Sequence, residues 1–456
     1  MQTRFDALII GAGPAGSSAA ILLATAGWSV ALIEKQGFPR RKVCGECVAA
    51  SNLPLLDALG IGGAFAGQAG PGLKRVALMR GTQSVCADLP PAADHHHPWG
   101  RALGREHLDT LLLARARAVG ATVLQPWAVQ NLSGVAGNHH CTVREAAGGR
   151  VKLLQAPVAI LAHGSWEHLP AERAAQRLAR NGSDLLAFKA NFSGARLAAG
   201  LLPVLAFDGG YGGMVLADGD LLTLACCIRA DRLDVLRRAA PGRAAGEVVQ
   251  DMLMRQCTGV AEALDGATRV DAWLASGPLR PGVRLRDDDE VFRIGNAAGE
   301  AHPIIGEGIS MALQSAWLLC AQLEAARPGR DAGARAAWQR SARQHYTAAW
   351  RRRFVPRLRL AAGFAHLAMR PAGATALMAT LKRFPNLLTR GAVWSGKVST
   401  VDEGAVVGAA DGAADGASVG AADRATVGAV LGTGPQRGTQ TTALQPLHKP
   451  LPGEHP

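Results

Sequence analysis

No apolar run in the sequence approaches the roughly 18 residues that a membrane-spanning helix needs. A transmembrane segment is therefore not expected. Aromatic residues make up only 5% of the chain, and no zinc-finger, RNA-recognition or helix-turn-helix pattern accompanies them, which argues against a nucleic-acid partner. The eight cysteines (44, 47, 86, 141, 226, 227, 257 and 320) lack the dense, regular spacing of a secreted disulfide scaffold. Cys44 and Cys47 form a C-x-x-C pair, but neither a second pair nor a spaced histidine pair completes a zinc site. The helix-start context of thioredoxin-like dithiol exchange is missing as well. His95-His96-His97 has no partnering acid motif and reads as a solvated loop, so no metal is expected. Met1 to Asp6 is polar and runs straight into an apolar strand, without the regions of a secretory leader. The expected location is the reducing cytoplasm.

What is present suits a globular enzyme. The 456 residues are 48% hydrophobic, enough to bury one large core or two cooperating ones. A net charge of +13, carried mostly by dispersed arginines, attracts an anionic cofactor, an acidic substrate or a membrane surface.

Ala7 to Ile10 reads as a buried strand, Gly11 to Gly16 as a turn, Ser17 to Ala26 as a helix and Ser29 to Glu34 as a second strand. Such a βαβ unit has parallel strands and a right-handed crossover. A helix is expected over about Glu106 to Val119, a strand over Thr122 to Leu124, and strands rejoining the first sheet over Val151 to Ala162. Between Leu185 and Arg229, short strands broken by glycines predict a mostly antiparallel second sheet. Glu290 to Ile294 predicts a further strand, followed by a long helix from Gly308 to Ala325. The region from Trp338 to Thr389 reads as basic helices, with Leu360, Phe364 and Leu367 spaced to share one face. From Thr400 the chain becomes Ala, Gly, Val and Asp in loose repetition, with too few large side chains to offset the entropy of ordering. The expected organisation is a cofactor domain in two parts (1–184 and 286–330), a substrate domain at 185–285, a basic helical region at 331–399 and a disordered tail at 400–456.

Gly11-Ala12-Gly13-Pro14-Ala15-Gly16 matches the dinucleotide fingerprint G-x-G-x-x-G between a strand and a helix. The first glycine permits the tight turn, the second lets backbone approach a pyrophosphate, and the third lets helix and strand pack closely. The helix N-terminus offers free N–H groups to phosphate. Glu34, followed by Lys35, ends the next strand where an acid accepts hydrogen bonds from ribose hydroxyls. These features leave NAD and FAD equally open.

A later segment separates them. Arg293-Ile294-Gly295-Asn296-Ala297-Ala298-Gly299, continuing to Pro303-Ile304-Ile305-Gly306-Glu307-Gly308-Ile309, resembles the second flavin motif of the para-hydroxybenzoate hydroxylase-like family. Asn296 stands where the family carries an acid against the ribityl chain. The resemblance implies that the loop amides of Gly306, Gly308 and Ile309 face the isoalloxazine, with a helix N-terminus beside the N1/O2 edge. Arg101 to Arg105 is similar to the family's arginine-bearing segment, which implies that Arg105 lies against the diphosphate and ribityl chain. Leu161-Ala162-His163-Gly164-Ser165 is similar to its Asp-Gly segment, with His163 in place of the acid.

Phe38-Pro39-Arg40-Arg41-Lys42-Val43-Cys44-Gly45-Glu46-Cys47 resembles the Cys-Gly segment of the geranylgeranyl reductase-like branch, as do Phe188-Lys189-Ala190 and the run from Gly209 to Gly213. The resemblance implies a catalytic Cys44 near the isoalloxazine and a cofactor role for Arg41. The Trp-x-Trp-x-Ile-Pro motif of tryptophan halogenases is absent. The expected fold is α/β: a Rossmann-type FAD-binding domain built from discontinuous segments, an interposed mostly antiparallel substrate sheet and a C-terminal helical cap. The expected activity is hydride transfer through FAD to or from a hydrophobic small molecule, isoprenoid or polyketide-like, with NADH or NADPH as electron donor. An oxygen-using flavin monooxygenase, and a membrane-associated flavin electron-transfer module touching anionic lipid through Arg351, Arg352, Arg353, Arg357 and Arg359, remain open alternatives.

Overall fold

The strand Ala7–Ile10 is apolar and buried at every position, the signature of a parallel strand covered on both faces. It sits in the middle of a five-stranded sheet whose order is Phe292–Arg293, Val158–Leu161, Ala7–Ile10, Val30–Ile33, Thr122–Leu124. All four pairings are parallel. The order turns back between Ala7–Ile10 and Val158–Leu161, and the crevice beyond the carboxyl ends of such strands is where ligands bind. The computed structural model describes residues 2–164, 181–325 and 332–394. The tail expected at 400–456 lies outside the described residues, as does Ser165.

Several expectations need adjustment. The first helix is Pro14–Thr25, so it begins inside the glycine fingerprint; Pro14 occupies an early position where no N–H is needed. The stretch from 151 to 162 does not rejoin the first sheet as one piece. Val151–Ala156 pairs with Gln2–Arg4 and Asn138–Glu145 in a separate four-stranded sheet. Only Val158–Leu161 enters the cofactor sheet, and Pro157, which has no N–H to give a ladder, divides the two. The strand expected over 290–294 is confined to Phe292–Arg293.

The third large sheet is mostly antiparallel, as expected, and contains Leu185–Ser193, Leu201–Phe207, Gly210–Ala217 and Leu221–Arg229. It also takes Arg75–Arg80 and Gln83–Asp88 from the first part of the chain, joined by a parallel pairing of Leu201–Leu205 with Arg75–Met79. A division at residue 185 therefore does not separate this sheet from the cofactor half. Along Leu185–Ser193, Phe188, Ala190 and Phe192 pack under the helices Ala230–Ala239, Ala245–Gln256 and Thr258–Ala263. The period of two then turns Ala187, Lys189 and Asn191 toward the opposite face, where the site lies.

The C-terminal helices, Ala332–Ala368, Pro371–Arg383 and Asn386–Trp394, cover that opposite face. The buried stripe is Ala361, Ala365 and Ala368, each at 0% exposure, whereas Leu360 and Leu367 are 37% and 41% exposed. Small side chains let the helix approach closely, so of the three residues sharing the expected face Leu360 and Leu367 turn outward while Phe364 packs partly buried against the same core. Among the described residues no helix is long and apolar enough to cross a membrane.

Candidate functional site

Each glycine of the fingerprint has a separate constraint. Gly11 sits at φ +104°, where a Cβ would lie 2.8 Å from the Ala162 carbonyl oxygen. At Gly16 a Cβ would come within 1.8 Å of the Gly11 carbonyl oxygen, so helix and strand touch backbone to backbone. Gly13 is different: its added Cβ meets only Arg105 Nη2, at 3.6 Å. Its surface is open to a cleft of about 190 Å³.

The fingerprint residues Gly11, Gly13, Pro14 and Ala15 line one end of that cleft, together with Glu34 and Arg105. Glu34 is buried; its Oε2 accepts the Ala12 N–H at 3.0 Å and its Oε1 the Gln36 N–H at 2.9 Å. Arg105 forms a bidentate pair with fully buried Asp109, both bonds 2.7 Å. Arg40 was not singled out in the sequence, yet it lines the cleft, stacks on Phe38 at 4.6 Å and lies 3.7 Å from Asp109. Its Nε and Nη1 are buried with no protein partner among the described residues. Arg41, by contrast, is outside the lining and turns to Asp271 at 3.1 Å and Asn191 at 3.3 Å. Lys35 is half-buried and also outside it.

Gly295, Asn296, Gly306, Gly308 and Ile309 also line the cleft, as does His163, which lies beside Gly11. Gly295 (φ +56°) could not carry a Cβ without coming 2.9 Å from that of Ala15, so the two flavin motifs interlock. Gly306 ends a 3₁₀ turn at φ +66°, and helix Gly308–Glu324 starts immediately beyond it. Nothing stands within 4 Å of an added Cβ at Gly308, which leaves the helix's N-terminal amides approachable. An open backbone at Gly13, unpartnered arginine nitrogens, a buried ribose-type acid and a second helix N-terminus fit an elongated anionic dinucleotide with a ring at its far end.

Cys44 also lines the cleft, at its boundary with a second, mainly apolar pocket of about 130 Å³. The two share Val43, Cys44, Gly45, Cys47, Leu279, Pro303 and Gly306 as a common wall. The sheet supplies most of the remainder, including Val76, Ala187, Val204, Tyr211 and Cys227, and the turn Pro303–Ile305 adds Ile304 and Ile305. Burial pushes the Cys44 thiol up, against the downward pull of Arg105. All eight cysteines are free thiols, Cys44 and Cys47 included. At the pocket's edge the Tyr211 hydroxyl lies 3.3 Å from His302 Nδ1, and burial and neighbouring His366 push His302 down to about 4.

Glu46, Lys189 and Asp109 were also missed. Glu46 and Lys189 lie inside the two segments that carry the reductase-like resemblance, but their pairing, and the burial of all three, is not visible in sequence periodicity.

Comparison with known proteins agrees with this geometry. A family model described as FAD binding domain matches residues 4–350. Conditioned medium factor receptor 1 of Dictyostelium discoideum is 26% identical over 352 residues, 72% of this chain; the match spans 65% of that relative's length. Among solved structures, a geranylgeranyl bacteriochlorophyll reductase-like protein from Thermoplasma acidophilum superposes with TM-score 0.64 at 18% identity, covering 90% of this chain and 96% of the other. The flavin-dependent halogenase CmlS gives TM-score 0.63 at 22% identity, covering 86% and 72%. The fold is therefore shared by flavoproteins of different chemistry. Its flavin motifs, its discontinuous cofactor sheet and the match over most of its length together place this chain in the FAD binding domain family, with FAD as its cofactor.

Proposed function

We propose that this FAD-dependent oxidoreductase reduces or dehydrogenates a hydrophobic small molecule, isoprenoid or polyketide-like, held in the apolar pocket against Cys44. The observation that carries this reading is the common wall: Cys44 borders both the cofactor cleft and the pocket. Bound FAD supplies two-electron redox chemistry, drawn in this reading from NADH or NADPH. The chain's own part is to exclude water with the walls of Val76, Val204, Ile304 and Ile305 and to present a proton at Cys44 Sγ. Burial keeps Cys44 in its protonated thiol form, which suits an acid that completes double-bond reduction by protonating the carbon opposite the one that receives hydride. The Gly308–Glu324 helix N-terminus suits the electron-rich edge of a reduced flavin ring.

Purified protein should be yellow, and Cys44→Ala should keep the colour while losing about 10²–10⁴ in turnover of an apolar isoprenoid alkene. The measurement is anaerobic reduction with NADH or NADPH, then reoxidation by the alkene or by air, with product analysis. Oxygen incorporated into product by both proteins would replace this reading with a monooxygenase.

A peripheral contact with anionic membrane belongs to the same proposal, on a different patch from the expected arginines, since Arg353 and Arg357 turn inward to Gln314 and Arg351 pairs with Asp287. Phe384 and Trp394 are 54% and 67% exposed at the end of the C-terminal helices, with exposed Arg383 stacked over Phe384 at 5.1 Å and exposed Arg390 one turn before Trp394. Aromatic side chains beside arginines form a surface suited to a headgroup interface.

A further inference from the structure

We infer that Glu46 and Lys189 are a positioning pair that fixes the Cys44 thiol in the wall between cofactor cleft and substrate pocket. Both side chains are fully buried and form an ion pair through Lys189 Nζ and Glu46 Oε1. That same Oε1 accepts the Arg105 backbone N–H at 3.0 Å, and Oε2 accepts the Thr223 hydroxyl at 2.6 Å. Asn191 Nδ2 donates in turn to Thr223 Oγ1 at 3.3 Å. The Glu46 backbone is engaged as well: its carbonyl accepts the Leu103 N–H at 3.2 Å, and its own N–H donates to Cys44 Sγ at 3.3 Å. One residue thus joins the Cys44 loop, the start of helix Arg105–Ala118 and two strands of the substrate sheet.

Glu46 does this at φ +60°, a region non-glycine residues rarely adopt and keep only where the surroundings over-determine it. A buried ion pair is a weak source of net stability, since well-packed apolar residues often serve as well. Its placement directly beside the thiol gives it a positioning use that stability does not. The charged groups bearing on Cys44 are Arg105 and Lys189, which favour the thiolate, and Glu46, which opposes it; Arg40, Lys42 and Glu300 stand in the same cleft lining.

This inference rests on Cys44 being the ring-facing thiol, but its test reads the thiol rather than turnover, so failure of the proposed reaction leaves it intact. FAD-loaded full-length protein is treated with iodoacetamide from about pH 7 to about pH 11.5, and alkylation of the Cys44 peptide is followed by mass spectrometry. Glu46→Gln should lower the pH midpoint and Lys189→Met should raise it, each by about one unit, with the double variant returning toward wild type. Opposite shifts are what a merely structural pair would not produce. Shifts in the same direction, or unmoved midpoints in folded, yellow variants, would overturn the inference. If Lys189→Met does not fold, Glu46→Gln decides alone by a lowered midpoint, with Lys189→Arg expected to keep the wild-type midpoint.

Discussion

Gly13 and Gly16 lie three residues apart and carry different burdens. A side chain at Gly16 would collide with backbone at 1.8 Å, so Gly16→Ala should destabilise the fold itself, by about 1–3 kcal/mol or more. A side chain at Gly13 meets only an arginine terminus at 3.6 Å, yet it stands where diphosphate must approach. Gly13→Val should therefore lose the visible flavin absorbance almost completely, while the apoprotein keeps its melting temperature. Equal destabilisation in both would contradict this separation. His302 gives a pH dependence at the same scale. It is buried and held neutral, with its value pushed down to about 4 from an unfolded value near 6.5. The unfolded chain binds the extra proton between those values, so this stability is present above about pH 6.5 and lost as pH falls toward about 4. The loss is on the order of 3 kcal/mol, and acid melting of His302→Phe should be less steep over that window.

The long C-terminal helix shows what periodicity can and cannot reveal. Spacing correctly indicates a helix, but not which stripe faces the sheet, because Ala361, Ala365 and Ala368 are as helix-compatible as Leu360, Phe364 and Leu367. Tertiary approach decides, and it selects the small residues. Ala365→Leu should lower stability by about 1–3 kcal/mol, whereas Leu360→Gln should stay within about 0.5 kcal/mol, both read by thermal melting. The first βαβ unit and the second flavin loop were legible because glycine carries a local constraint visible in the chain itself. Arg40 and Arg41 show the limit. Adjacent arginines look alike in sequence, but only the loop's turn sends the first into the cleft and the second toward Asp271 and Asn191. Glu46 and Lys189 were hidden for a related reason, since their partnership joins segments far apart in the chain.

At the scale of the whole molecule, the proposed membrane contact is tested at the exposed aromatic end of the C-terminal helices. Sedimentation with phosphatidylserine vesicles should recover the wild-type protein, while neutral phosphatidylcholine vesicles and the variant Phe384→Ser/Trp394→Ser should recover much less. Equal recovery in all three would remove membrane contact from the reading. The order of strands in the cofactor sheet has another consequence, concerning synthesis. Its central strand emerges early, at Ala7–Ile10, but the strand that closes one edge is Phe292–Arg293, and the loop around Gly306 follows later still. A nascent chain on the ribosome holds the phosphate-binding turn long before it can hold the ring, while an unpaired edge of the sheet waits exposed. The lining of the cofactor cleft is thus complete only once the chain has been made through Ala312.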